Sequence, residues 1–181
     1  MKLIIASDIH GSLFYAQQLA SLYKGAGADR LVLLGDLLYH GPRNPLPRGY
    51  DPKGVFSLLN TMKRDIVCVR GNCDANVDQL VLEFPVTPES MLLFMDGRAV
   101  FAEHGHIYGK DNPPPVGRND LLLNGHTHIP AAEDAGSFIY LNPGSLSLPA
   151  AGHINSYMVY ENKRFSVRAL EGGGEICGYS F

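Results

Sequence analysis

Three short runs of β-prone apolar residues, "KLIIAS" at 2–7, "RLVLLG" at 30–35 and "DIVCVR" at 65–70, are separated by stretches of helical length. Their hydrophobic residues are continuous rather than alternating, so each strand must be covered on both faces. That is the pattern of a parallel sheet built from strand–helix–strand crossovers. Ser12 is a candidate N-cap for a helix carrying Phe14, Ala16, Leu19, Ala20 and Leu22 toward the glycines at 25 and 27. A second helix is expected over 53–64, after a loop at 39–52, "YHGPRNPLPRGYDP", too rich in Pro and Gly to be regular.

The second half has a different grain. "SMLLFM", "RAVFAEHGH", "DLLLNGHTH", "SFIYLNPGS", "SYMVYEN" and "RFSVRALE" read as short strands joined by turns. The tail "EGGGEICGYSF" is expected to start flexibly and to end in an edge strand. With 181 residues and no linker or repeat, the chain reads as a single domain over 1–181, a strand-rich half packed on the parallel half. A net charge of −3 supplies no electrostatic reason for a polyanion partner such as nucleic acid. No apolar run approaches the ~20 residues needed to cross a bilayer, and "MKLIIASDIHGS" is too short in its apolar part for a signal peptide. Cys68, Cys73 and Cys177 are odd in number with no CxxC pair, which points to a reducing, cytoplasmic location.

A polar cluster follows each of five apolar runs. They are Asp8-x-His10, Gly35-Asp36, Gly71-Asn72-Cys73-Asp74, His104-Gly105-His106 and Gly125-His126-Thr127-His128. In open α/β sheets the carboxyl ends of the strands share the edge where ligands bind, so the five should converge. Imidazole mixed with carboxylate and amide oxygens suits Mn²⁺, Fe²⁺, Zn²⁺ or Co²⁺ better than Ca²⁺ or Mg²⁺. There are more donors than one ion with an open position needs; two ions ~3.5–4 Å apart would use them all, one carboxylate bridging. Singly, most of these motifs are ordinary turns. The pair His126 and His128 is less ordinary, because alternate residues of a strand share one face and a bare surface has little reason for such a pair.

In this order the motifs resemble those of the calcineurin-like metallophosphoesterases, DxH, GD, GNH(D/E), H and GHxH, over residues 8–128. The resemblance is greatest to the small bacterial phosphodiesterases of that family. It implies an α/β two-sheet sandwich flanked by helices. It also implies one metal held by Asp8, His10, Asp36 and His128, and a second held by Asp36, Asn72, His104 and His126, with Asp36 bridging. The cofactor implied is two divalent ions, manganese first, with Zn, Fe, Co or Ni as alternatives. The implied reaction is hydrolysis of small phosphodiesters, a bridging water acidified to hydroxide attacking phosphorus in line.

The sequence departs from the family at Cys73, where the pattern has a His thought to protonate the leaving oxygen, with an acidic residue behind it. A thiol has a reference pKa of ~8.5 and is a weak donor. Cys73 is open to three readings: a soft metal ligand, a nucleophile with nothing basic beside it, or a space filler where an acid stood. We take the last, with the metal chemistry kept and the general acid lost, so that aryl-type leaving groups are favoured over alkoxides. Asn72, Cys73, Asp74 and His106 are therefore the catalytic candidates. His40, Arg43 and His106 are the candidates for substrate contact, set against plain packing for His106 and a subunit contact for the 40–44 loop. Asn142 and Ser145 in "NPGS" should build a turn supporting the histidine loop. The expected partner is a small phosphoester, with no membrane and with homo-oligomerisation left open. The competing reading is a non-catalytic, metal-binding interaction scaffold of the same fold. Such relatives typically lack metal-ligand histidines, whereas every ligand position is filled here. A nuclease is disfavoured, because there is no long basic stretch or capping domain to hold a strand.

Overall fold

Strand β1 (Leu3–Ala6) is buried along its whole length, and the two faces of its pleat divide the core. Ile4 and Ala6 join the cluster under the helices, whereas Leu3 and Ile5 join the cluster between two sheets. The computed structural model describes residues 1–180. Helix α1 (Leu13–Ala26) follows β1, and its first turn is capped by Ser12 Oγ, which accepts the Tyr15 N–H at 3.3 Å. Gly27, at φ 60°, closes it in the left-handed conformation that glycine tolerates. Helix α2 (Pro52–Asn60) lies between β2 (Arg30–Leu33) and β3 (Ile66–Cys68). Asp51 caps it and Pro52 occupies the first turn, where its missing N–H costs nothing. The helix stops short of the expected residue 64, and turns carry the chain to β3.

Strands β4 (Ser90–Met95), β5 (Arg98–Glu103), β6 (Leu121–Leu123), β7 (Pro130–Asp134) and β8 (Ile139–Pro143) form the second sheet, ordered β4-β5-β6-β8-β7. Strands β9 (Ser156–Glu161), β10 (Arg164–Ala169) and β11 (Glu175–Ser180) return to extend the first, ordered β11-β10-β9-β1-β2-β3. β1, β2 and β3 run parallel, as do β5, β6 and β8, and the other pairs are antiparallel.

The result is an α/β two-sheet sandwich. Both helices cover one face of the first sheet, with Leu19 and Leu59 against Ile4 and Leu33. The other face meets the second sheet through Val100, Leu121, Leu123 and Leu141. The outer face of the second sheet buries only a small cluster, Leu122, Phe138 and Tyr140, packed by Phe101 and Val116 rather than by a helix. Strand β7 was not legible in the sequence: "PAAED" has no β-prone residue and opens on proline. It is tolerated because it is an edge strand with Pro at its first position. β11 is the other sheet's edge, with a bulge opposite Val167/Arg168. No helix among the described residues is long and apolar enough to cross a membrane.

Candidate metal centre

The β1–β2 ladder continues beyond the strands. The backbone N–H of Asp8 donates to Gly35 O at 3.1 Å, His10 N–H to Asp36 O at 2.8 Å and Gly11 N–H to Leu37 O at 2.9 Å. The two loops therefore travel together, and they do so in left-handed conformation: φ is 59° at Asp8, 48° at His10 and 56° at Asp36. His126 and His128 share it, at 61° and 60°. The remaining non-glycine residues of this kind among those described, Asp96, Asn162 and Lys163, sit in hairpin turns. A non-glycine residue held there costs on the order of 1 kcal/mol or more, and five such residues gather at one end of the sandwich, from strand ends of both sheets. This corrects the expectation that His126 and His128 alternate along a strand. β6 ends at Leu123, and it is the loop backbone that aims both rings.

Glycine makes the close approach possible at two points. A Cβ on Gly71 would lie 2.1 Å from Asp36 Oδ1, and one on Gly125 would lie 1.9 Å from Ser7 Oγ. Any other residue would push the β3 loop off Asp36 or the β6 loop off β1.

Three histidines are oriented from behind. Nδ1 of His10 faces Tyr39 O at 2.9 Å, Nδ1 of His104 faces Leu34 O at 2.6 Å, and Nδ1 of His128 faces Leu148 O. A carbonyl only accepts, so each Nδ1 must donate, and in the neutral ring the Nε2 lone pair points into the cluster. There, Nε2 of His10 and His128 are 3.3 Å apart, and each lies near Asp8 Oδ1, at 3.4 and 3.2 Å. His104 Nε2 is 3.0 Å from Asn72 Oδ1 and 3.4 Å from Asp36 Oδ2. Asp36 Oδ2 is also 3.7 Å from His10 Nε2, so it stands between the two constellations. His126 stands beside the second, its ring 5.1 Å from that of His104, and its backbone N–H donates to Asp8 Oδ2 at 3.0 Å. With the rings neutral, acceptor faces acceptor, a repulsion that either a proton on an imidazole or a divalent cation relieves. The donor atoms of Asp8, His10 and His128, and those of Asp8, Asp36 and His104, lie within 4.8 Å of one another. The side chains present fit a pair of divalent ions.

The electrostatics follow from burial and pairing. Burial opposes ionisation of Asp8, but hydrogen bonds from His10 and His128 hold its carboxyl well below the usual range. Burial likewise works against protonation of His104, yet the Asp36 and Asp8 carboxylates raise it to about 9. His10 is raised by Asp8 against its own burial, and His126 is lowered by burial and the neighbouring His104.

The other candidates part company. Asp74 is 4% exposed, and its oxygens accept the N–H groups of Asp36 (2.7 Å), Leu37 (2.8 Å) and Gly71 (2.8 Å). It shapes the Asp36 loop, and its carboxylate is directed to these backbone groups rather than to the side chain at 73. Burial and the Asp36 charge push its carboxyl up to about 6. Cys73 donates its N–H to Asp36 Oδ1 at 2.8 Å, and its sulfur accepts from the Asn72 amide at 3.2 Å. Burial and the Asp36 carboxylate push its thiol up to about 12, so it stays neutral, and Gly41 covers it so closely that a Cβ there would lie 3.0 Å from Sγ. Its sulfur also falls within 4.8 Å of His10 and Asp36 donor atoms.

A cleft of about 410 Å³ opens over Asp36, Asn72, Cys73, His126 and His128, between walls at 41–45 and 147–150. Arg43 lines it. His40 does not; its ring packs edge-on against Tyr39 and Tyr50, with Nδ1 buried and unpartnered. His106 is also outside the cleft, its Nδ1 3.4 Å from Glu103 Oε1 and its ring 5.5 Å from that of His104. The 142–148 segment braces the loops: Asn142 donates to Gly125 O at 2.7 Å, and Ser145 and Ser147 both donate to Asp8 O at 3.0 Å. Ser147, Asn124 and Glu103 escaped the sequence reading. Asn124 donates to Glu103 O at 2.9 Å, and Glu103 accepts the Gly105 N–H at 2.7 Å. Their one signal was a polar residue closing an apolar run, in "VFAE" and "LLLN".

A two-sheet sandwich whose strand ends converge carboxylate, amide and imidazole donors defines a class of phosphoester hydrolases. Residues 1–164 match the calcineurin-like phosphoesterase superfamily domain, and the chain belongs to that superfamily. Among individual relatives, the phosphodiesterase YfcE of Escherichia coli K12 is 46% identical over 170 residues, spanning 94% of this chain and 92% of that protein. The solved structure of YfcE, a phosphoesterase from E. coli, superposes with a TM-score of 0.97 at 44% identity, over 99% of each chain. Vps29 from Entamoeba histolytica, solved with Zn²⁺, shares the fold alone: TM-score 0.60 and 19% identity over 98% of this chain and 97% of that one.

Proposed function

We propose that the protein is a metal-dependent phosphodiesterase acting on small substrates, with one ion held by Asp8, His10, Asp36 and His128 and the other by Asp36, Asn72, His104 and His126. The observation that carries this reading is the set of Nε2 atoms of His10, His104 and His128, each fixed from behind by a main-chain carbonyl and turned toward Asp8 and Asp36. Mixed nitrogen and oxygen donors suit Mn²⁺, Fe²⁺, Zn²⁺ or Co²⁺, and we take Mn²⁺ first. When bound, such ions acidify a water as nucleophile and draw charge from the phosphoryl oxygens. The chain supplies the rest. Asn72 offers an oxygen without charge, which leaves the centre positive enough to attract a phosphate. Arg43 stands over the cleft to meet the same charge. Cys73 carries a thiol, a weak donor, in place of an imidazole and gives the leaving oxygen little help, so that oxygen departs as an anion and an aryl group is favoured. Three unpaired cysteines suit a reducing cytoplasm. The complete donor set speaks against a scaffold that has given up chemistry.

The test is turnover of bis(4-nitrophenyl) phosphate by protein stripped with chelator and reloaded with Mn²⁺. Activity is expected only after reloading. No turnover at verified metal occupancy would overturn the reading.

A further inference from the structure

The cleft over the metal centre is not the only one that reaches Cys73. Pro42, Arg43, Asn72 and Cys73 also line a second cleft of about 620 Å³, so these four form a saddle between the two. The volume is ordinary for a small-ligand site, typically about 300–1,000 Å³. Asp36, His126 and His128 open only into the first cleft, which is where a phosphorus atom must sit to be attacked. A monoester has one arm and needs one cleft. A diester has two, and the saddle gives the second arm its own place.

The character of that place is set by charge. Arg43 and Arg70 both face it. Arg43 has no ion pair or hydrogen bond among the described residues. Arg70 is fixed by its Nε–H, which donates to Asp74 O at 3.2 Å, while its Nη1 stands 3.6 Å from the exposed Glu89, too far for a hydrogen bond. Of the nearby acids, Glu89 is an exposed ion-pair partner of Arg70, and Asp74, which also lines the cleft, has its oxygens occupied. The Asp74 carboxylate is spent on three backbone N–H groups, and Asp78 accepts the Ala75 N–H at 2.7 Å and does not line the cleft. Tyr39, 44% exposed, supplies an aromatic wall. Two guanidinium forks with open donors beside a ring match a planar or tetrahedral anion on an organic stem.

Building on the phosphodiesterase reading above, we propose that the second cleft is a subsite for an anionic arm, and that the preferred substrate is a diester one of whose ester groups carries a further carboxylate or phosphate. Arg43 and Arg70 are its specificity-determining residues.

The test compares three methyl aryl phosphodiesters, the ring bearing a carboxamide, a carboxylate or a phosphonate, on the Mn²⁺-loaded full-length protein. It also compares the matching phosphinates, in which carbon replaces both ester oxygens, by calorimetric binding. A charge-assisted contact predicts kcat/KM and affinity about tenfold or more higher for a charged arm than for the carboxamide. That ratio should fall toward one in Arg43→Met/Arg70→Met, and the two charged probes compared with each other separate carboxylate from phosphate recognition. Equal turnover and equal binding of all three in wild type would overturn the subsite while leaving the phosphodiesterase intact. A preference that persists in the double variant would overturn the assignment to these arginines. If no diester is turned over, the phosphodiesterase reading fails, and the phosphinate ratio still decides whether the cleft selects an anion.

Discussion

The carboxylate of Asp74 accepts the backbone N–H of Asp36 at 2.7 Å, across 38 residues of chain. With two further bonds, to Leu37 and Gly71, it ties the loop after β3 to the loop after β2. The orientation of Asp36, which faces both halves of the centre, thus rests on a residue whose oxygens are already occupied. In Asp74→Ala three buried N–H groups lose their acceptor, and each unsatisfied group costs about 1–3 kcal/mol. We expect a loss of about 3 kcal/mol or more in chemical denaturation, together with reduced metal content. Wild-type stability and full metal content in this variant would refute the bracing role.

Asp36 itself is the ligand proposed to touch both ions. Asp36→Ala should lower bound metal toward zero, whereas His128→Ala should lower it toward one ion per chain. Elemental analysis after equilibrium dialysis against Mn²⁺ reads the difference. Two ions retained in Asp36→Ala would remove it from the bridging position.

Metal should also stabilise the fold, because the donors converge only in the native state. Binding at a hundred-fold excess over Kd contributes about 2.7 kcal/mol per site. At about 2–4 °C per kcal/mol for a chain of this size, Tm should rise by roughly 5–10 °C for each site filled and by roughly twice that with both sites saturated by Mn²⁺. No rise with demonstrably bound metal would show that the site is indifferent to folding.

The metal-free protein should respond to pH in a defined direction. His104 is raised from 6.5 to about 9 in the fold, against its burial, by Asp36 and Asp8, so the folded state binds its proton more tightly than the unfolded state does. That stabilisation is complete below pH 6.5 and is lost as pH climbs through 9; His10, also raised, acts in the same sense. Tm of the chelated protein should therefore fall over this window. Metal must displace those protons, so the gain in Tm on adding Mn²⁺ should grow over the same window. A chelated protein whose Tm rises from pH 6.5 to 9 would contradict the proposed pairing.

The proposal that Cys73 stands where a general acid is lost predicts a leaving-group dependence. A positioned general acid is worth about 10²–10⁴-fold, and without one, alkyl diesters should be slower than aryl diesters by roughly that factor. Cys73→Ala should keep aryl diester turnover within about a few fold, since a neutral thiol under Gly41 contributes shape. Cys73→His should raise alkyl turnover more than aryl turnover. Its gain is limited by Asp74, which is committed to backbone N–H groups and so is not free to orient the imidazole. Loss of all turnover in Cys73→Ala with metal retained would make the sulfur a chemical participant.

Much of this was legible in the chain itself. The apolar runs at 3–6, 30–33 and 66–68 carried their own β signal, and the Ser12 cap carried the start of α1. Asp8, His10, Asp36, Asn72, His104, His126 and His128 were readable as candidate ligands because each lies within a few residues of the strand that delivers it. Local spacing in such a case is also spatial order. β7 was not readable, since its strand character comes from pairing with β8 rather than from Pro, Ala, Glu or Asp.

What the tertiary structure alone decided lies in contacts between segments far apart in the chain. Nothing near Asp74 says that its oxygens serve Asp36 and Leu37. Nothing near Ser147 points to the carbonyl of Asp8. Nothing in "HGPRN" or "VRGN" says that Arg43 and Arg70 line the same cleft. The sequence determined which donors exist and in what order the strands present them. Which side chains face the substrate, and which are spent holding the loops, depended on how two sheets pack and how closely Gly71 and Gly125 let the loops approach, because hydrogen bonds and clefts are set by distance in space and not by distance along the chain.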